Sequence, residues 1–282
     1  MPASTPDQPL HEHLRRHARA KPDAPAIHWY GRALTWRELN DWSDALGAHL
    51  QSLGVQKGDP VALFMNNCPQ YVVAHYAIQK IGAIVCPCGP LNKAHELQYQ
   101  LDDLKARVII SADNLLPIVD QVRAQTALQH VLAVRYTDLL PAAPTLNVPP
   151  ELQTPAQPLP AGVLDALQIA QHGAQSGQRP RYENIGMDDV ALMTYTSGTT
   201  GLPKGAMLSF GNALFKTTVT AQAAGLQAHD VSLSVAPLYH IAGMLMGVNT
   251  PVLVGATQVL LFRFAPVAVL QAIAQHGVTH WY

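Results

Sequence analysis

Short, wholly apolar runs recur along the first half of this chain, and segments with helical spacing separate them. The runs are Pro60-Val61-Ala62-Leu63-Phe64-Met65, Ala83-Ile84-Val85-Cys86, Val108-Ile109-Ile110 and Val131-Leu132-Ala133-Val134. A strand apolar on both faces must be covered on both faces, whereas a sheet wetted on one side alternates. Between the runs, Thr35-Trp36-Arg37-Glu38 has the form of a capping box. Leu39, Trp42, Leu46, Leu50 and Leu53 then recur at spacings of three and four until Gly54 stops the pattern. Pro69 suits the first turn of a helix reaching about Gly82. Further helices are expected over Ala94 to Lys105 and Leu115 to Leu128. The alternation predicts an α/β fold with largely parallel sheets flanked by helices.

The pattern then changes. Residues Pro141 to Pro160 are rich in proline and poor in charge, which predicts a stiff, extended segment over the surface. A short helix is expected over Val163 to His172. Val190-Ala191-Leu192-Met193 and Ala206-Met207-Leu208 read as strands, with Ser209 as N-cap of a helix to about Ala224. Val231 to Val235 alternates as a strand. Val248 to Val254, Val259 to Phe264 and Val278 to Tyr282 are strongly apolar, and the last reads as the start of a buried strand.

With 282 residues the chain can bury a large core in one or two domains. Only 13% of residues are charged, against about a quarter in ordinary domains. So sparse a charge implies contact with a partner chain or with sequence not present. Lys and Arg number 18 against 19 Asp and Glu, a balance that argues against nucleic acid or an anionic membrane as partner. Residues 1–8 lack the basic-then-apolar layout of a signal peptide, and no apolar run reaches membrane-spanning length. A cytoplasmic location is expected. Cys68, Cys86 and Cys88 lack zinc-site spacing and are expected as reduced, packed thiols. His11, His13 and His17 are expected as an exposed, solvated cluster.

The chemistry concentrates at residues 194–205, Thr-Tyr-Thr-Ser-Gly-Thr-Thr-Gly-Leu-Pro-Lys-Gly. Glycines let backbone N–H groups turn toward an anion, hydroxyls donate further hydrogen bonds, and a lysine adds a mobile positive charge. That is a phosphate cradle, yet it lacks the spacing of a Walker A loop. The run from Thr196 to Gly205 resembles the signature of the adenylate-forming superfamily. Its members include acyl-CoA synthetases, aryl-CoA ligases, luciferases and the adenylation domains of peptide synthetases. Leu34 to Leu39, Leu53 to Asp59, Asn67-Cys68-Pro69 and Glu96 to Leu101 are similar to acyl-CoA synthetase sequence, and each of these is expected to be structural. Where many members carry a His-containing polar pair, this chain reads Ser209-Phe210-Gly211.

The resemblance implies that Thr196, Ser197, Gly198, Thr199, Thr200, Gly201 and Lys204 hold the nucleotide phosphates. Pro237 to Met244 resembles the next family motif. It implies that His240 orients the substrate carboxylate, with Tyr239, Gly243 and Met244 forming an acyl pocket. The implied parent is an AMP-forming acid–thiol ligase using ATP, magnesium and coenzyme A. It would activate a carboxylic acid, most like a fatty acid, as an acyl-adenylate and pass it to the thiol. Activation of an aryl or amino acid is the rival within enzymes. The family's Tyr-Gly-x-Thr-Glu segment, ribose-binding Asp and mobile C-terminal domain with its lysine have no counterpart in this sequence. Residues 1–282 are therefore expected to be an incomplete N-terminal adenylation domain without a metal site of its own. It is expected to be inactive alone, or a silent binding piece, and to self-associate through residues 225–282.

Overall fold

The computed structural model describes residues 8–196 and 202–281. Helix α1 (Leu10–Ala20) leads into an antiparallel hairpin, β1 (Pro25–Trp29) and β2 (Arg32–Thr35). The hairpin turns at Tyr30 and Gly31, with φ of 46° and 108°. The Thr35 capping box forms as its sequence requires. Thr35 Oγ1 accepts from the Glu38 amide at 3.1 Å, and Glu38 accepts from the Thr35 amide at 2.8 Å. It opens α2 (Trp36–Ser52), and Gly54 reverses the chain at φ +85°.

The apolar runs become β3 (Pro60–Phe64), β4 (Ile84–Cys88), β5 (Val108–Ala112) and β6 (His130–Val134), joined through α3 (Pro69–Lys80), α4 (Ala94–Leu104) and α5 (Leu116–Arg123). Strand β7 (Val163–Asp165) and α6 (Ala166–Gln175) follow, then β8 (Val190–Tyr195), β9 (Gly205–Ser209) and α7 (Phe210–Ala224). The remainder comprises β10 (Val231–Ser234), a single turn α8 (Ile241–Gly243), a π-helical turn at Met244–Asn249, α9 (Thr250–Val254), β11 (Thr257–Leu260), α10 (Pro266–His276) and β12 (His280–Trp281).

Two sheets result. One has seven strands in the order β7-β6-β5-β3-β4-β8-β9, the other five in the order β12-β10-β11-β1-β2. All pairings are parallel except the hairpins β1–β2 and β8–β9. The expected α/β fold with largely parallel sheets is therefore the observed one. Phe64, Val85, Ile110 and Leu132 are fully buried. The three cysteines are buried and unpaired, and burial pushes the Cys68 and Cys88 thiols up to about 12. No described helix is long and apolar enough to cross a membrane.

Several expectations need correction. The helix expected over Leu115 to Leu128 ends at Arg123, where the Thr126 amide and hydroxyl both turn back onto the Arg123 carbonyl. The helix expected from Val163 starts three residues later, because Val163 to Asp165 pair with β6 and Asp165 caps the Gln168 amide at 2.9 Å. The proline-rich segment does not merely lie on the surface. Leu146 and Leu152 are buried, and Glu151 grips Arg263 with both oxygens at 2.8 and 3.2 Å.

His11 and His13 are 2% exposed and His17 8%, so the expected solvated cluster is part of the core. Helix α1 packs them toward α2 and α9, with the His17 ring 4.9 Å from that of Trp36. Val248 to Leu253 and Val259 to Phe262 are also covered by the chain's own core. The final strand is an edge strand, with Trp281 49% exposed.

Candidate functional site

Strands β8 and β9 present the cradle as a hairpin whose pairing runs one step past the strands. The Thr196 amide donates to the Lys204 carbonyl at 3.0 Å, and the Lys204 amide to Thr196 Oγ1 at 3.3 Å. Thr196 and Lys204 are exposed. Ser197, Gly198, Thr199, Thr200 and Gly201 lie outside the described residues. Ser209 caps α7 directly after the hairpin, accepting from the Asn212 amide at 3.1 Å.

Helix α4 holds this hairpin from the side. The Tyr99 hydroxyl donates to the Pro203 carbonyl at 2.9 Å, and the Tyr195 hydroxyl to the Asp103 carboxylate at 2.6 Å. Burial, then the Asp103 carboxylate, pushes the Tyr195 hydroxyl far above its ordinary value. Both flanks of the loop are thereby tied to one rigid helix.

A cleft of about 970 Å3 lies between these elements. Asn92, His95, Glu96 and Tyr99 form one wall, Thr194 to Thr196 with Leu202 and Pro203 another, and Tyr239, His240 and Ile241 a third. It opens beyond the carboxyl ends of β4 and β8, the usual ligand position in parallel sheets. A second cleft, of about 460 Å3, lies between Asp113, Tyr136 and the proline-rich segment, and none of the signature residues lines it.

His240 is exposed and caps the single turn α8, its Nδ1 accepting from the Ala242 amide at 3.4 Å. With Nδ1 an acceptor, a neutral ring carries its proton on Nε2, which is then free to donate to a carboxylate. Tyr239 is half-buried at the same corner. Gly243 and Met244 are placed differently. A Cβ on Gly243 would sit 2.1 Å from the Pro237 carbonyl oxygen, so its smallness serves a close backbone approach. Met244 is fully buried, and neither residue lines the cleft.

From sequence Glu96 to Leu101 is expected to be structural only, whereas Glu96, Tyr99 and Gln100 line the cleft. His95, Glu96 and Tyr99 fall at helical spacing opposite Leu97, Leu101 and Leu104, with Asn92 just before the helix. That polar stripe was the available signal, but any solvated helix carries one. Among the described residues no group of three or more His, Cys, Asp or Glu could hold a metal ion.

A family model described as AMP-binding enzyme matches residues 14–282. The chain belongs to that family. It is similar to the long-chain-fatty-acid–CoA ligase of Bacillus subtilis, with 32% identity over 97% of this chain and 50% of the relative. A feruloyl-CoA synthase from Amycolatopsis is 32% identical over 94% of this chain and 46% of its own length. The chain thus spans about half the length of these family relatives. Solved members superpose as well. A long-chain-fatty-acid-CoA ligase from Archaeoglobus fulgidus matches with TM-score 0.79 and 23% identity, over 98% of this chain and 51% of that one. An anthranilate CoA ligase in complex with anthranoyl-AMP matches with TM-score 0.82 and 24% identity, over 98% and 49%. The expected family is thereby borne out, and long-chain-fatty-acid–CoA ligases are among the relatives of which the chain spans about half.

Proposed function

We propose that this chain is the front part of an ATP-dependent ligase that activates a fatty acid as its acyl-adenylate and transfers the acyl group to coenzyme A. The supporting observation is that the flanks of the phosphate loop and the Tyr239–His240 corner line one cleft. A carboxylate oxygen attacks the α-phosphorus of ATP and pyrophosphate leaves. The thiol of coenzyme A then attacks the acyl carbonyl and AMP leaves. The first step brings two anions together, so the protein contributes position and charge neutralisation. Lys204 and the hydroxyls of Thr196, Ser197, Thr199 and Thr200 hold the β- and γ-phosphates. His240 Nε2–H donates to the carboxylate. Magnesium, when bound, would neutralise phosphate charge, and among the described residues no cluster of His, Cys, Asp or Glu could hold it. The fatty-acid assignment follows the ligase relatives. The feruloyl-CoA synthase at the same 32% identity favours an aromatic acid as the second reading.

Binding to the chain itself tests the cradle. Losing one charge-assisted phosphate contact costs about 1.5–3 kcal/mol. Lys204→Ala is therefore expected to weaken ATP binding by about 10- to 100-fold in calorimetry. Equal affinity for both proteins would remove Lys204 from the phosphate site. A thioester assay of this 282-residue chain with ATP, magnesium, coenzyme A and dodecanoate is expected to stay at background, since the sequence lacks a Tyr-Gly-x-Thr-Glu segment. Turnover above a Lys204→Ala control would refute that reading.

The same proposal includes self-association through residues 225–282. Phe264, Val267, Leu270 and Trp281 are 49–67% exposed, and the Phe264 and Trp281 rings stack 6.1 Å apart beside the edge strand β12. Exposed edges and apolar patches seek partners. Light scattering is expected to report a mass above 30.4 kDa that falls to the monomer value in Leu270→Glu. A monomeric wild type would end the proposal.

A further inference from the structure

We infer that Asn67 is the positioning residue for the Tyr239–His240 corner; this rests on the proposed role of His240. Asn67 lies between the carboxyl end of β3 and the first turn of α3, and is 2% exposed. The N-cap of α3 is Cys68, one residue further on, and Asn67 does not cap the helix. Its side chain turns instead toward the other sheet. Nδ2 donates to the Ala236 carbonyl at 3.0 Å and to the Leu261 carbonyl at 3.1 Å, and Oδ1 accepts from the Leu238 amide at 2.8 Å. One buried amide therefore ties the central strand of the seven-stranded sheet to the segments that leave β10 and β11.

The tie ends two residues from the imidazole. Between them the chain makes a tight turn, the His240 amide donating to the Pro237 carbonyl at 3.1 Å. On its other side Pro237 is met by Gly243, where no Cβ fits. Asn67 and Gly243 thus grip the turn from two directions and fix the backbone from which His240 projects. Asparagine is the fitting residue, because the site needs two donors and one acceptor on a short stem. Aspartate keeps the shape but points a carboxylate at two carbonyl oxygens. A buried polar group left facing the wrong partner costs more than the bond it replaced.

The imidazole Cε1–H signals of His240 and His95 provide the test. Both residues line the cleft, but His95 stands on α4, which makes none of the hydrogen bonds of the tie. Loss of a signal in His240→Asn and in His95→Asn assigns each. In Asn67→Asp the His240 signal is expected to shift or broaden while His95 stays in place. The His240-reported affinity for sodium dodecanoate is expected to fall by about tenfold or more. General loosening would move both signals together and would overturn the inference, as would an unchanged His240 signal. If Asn67→Asp does not fold, Asn67→Ser, which keeps one hydroxyl at the tie, is read in the same way. If neither folds, amide exchange in the wild type decides. Leu238 must exchange as slowly as Leu63 in β3, and fast exchange at Leu238 overturns the tie. Should dodecanoate leave the wild-type His240 signal unmoved, the carboxylate role fails, while the ligand-free comparison still judges Asn67.

Discussion

Acidification from pH 7 to pH 5 is expected to destabilise the folded chain by about 4 kcal/mol, from two histidines alone. Burial lowers His75 from 6.5 to about 3, opposed only by its polar neighbour Asn249. Burial, then the charges of Arg16 and Lys21, lowers His17 to about 4. Both folded values lie below the unfolded value. Between about pH 4 and 6.5 the unfolded chain therefore takes up protons that the folded chain refuses. Stability is whole above 6.5 and is lost as the pH falls through this window. Each group contributes about 2 kcal/mol of the change, on a linkage of 1.36 kcal/mol per pKa unit. His11 and His13, also lowered first by burial, act in the same direction. Urea unfolding at the two pH values measures the difference. His75→Gln is expected to flatten it by about 2 kcal/mol even where it lowers stability at pH 7. Equal stability of the wild type at both pH values would show that these rings are solvated after all.

That vulnerability was hidden in the sequence for a definite reason. Three histidines on one helical segment look polar, and composition cannot say that α1 lies against α2 and α9. The covering elements are contributed by residues 36–52 and 250–254, remote along the chain. Burial of a polar helix face is a tertiary outcome that no local period reports. The parallel strands were legible because continuous apolar runs have few other destinations. The hairpin β1–β2 escaped notice because Tyr30-Gly31 is a weak turn signal, and its strands carry His28 and Arg32 among the apolar residues.

The site divides in the same way. The loop proposed to hold phosphate stands out by composition and order, since hydroxyls, glycines and a lysine in one short loop serve an anion better than they serve a core. Its flanks, Thr194 to Thr196 with Leu202 and Pro203, line the same cleft as Tyr239 and His240. Gly243 was read as space for an acyl group, and the structure fills that space with the Pro237 carbonyl. A glycine signals that something comes close without saying whether it is ligand or backbone. Asn67 gave no chemical signal, because its partners lie 169 to 194 residues away in sequence.

Asp44→Ala is expected to cost about 3–5 kcal/mol, as large an effect as any single substitution here should have. Lys80 is fully buried, and its ammonium meets Asp44 Oδ1 at 2.8 Å, the Asn40 carbonyl at 2.9 Å and Asn40 Oδ1 at 2.8 Å. The cation is thus fully served, at the junction of α2 and α3. Burial draws the ammonium from 10.5 down to about 8, and Asp44 is the largest influence holding it up. Removing the carboxylate leaves a buried positive charge with neutral acceptors only, and Arg179, 3.4 Å from Asp44, loses its inner partner as well. Between pH 8 and 10.5 the unfolded chain holds this proton and the folded chain does not, so the group's contribution rises with pH. Without Asp44 the folded value falls further and the window opens lower. Asp44→Ala is therefore expected to regain stability between pH 7 and 9 more steeply than the wild type. The double variant Asp44→Leu/Lys80→Met carries no buried charge and is expected to be more stable than Asp44→Ala, since well-packed apolar replacements of buried pairs are often neutral or better. Chemical unfolding of the three proteins at both pH values separates these outcomes. A loss below about 1 kcal/mol for Asp44→Ala at pH 7, the range of exposed pairs, would mean that water reaches Lys80.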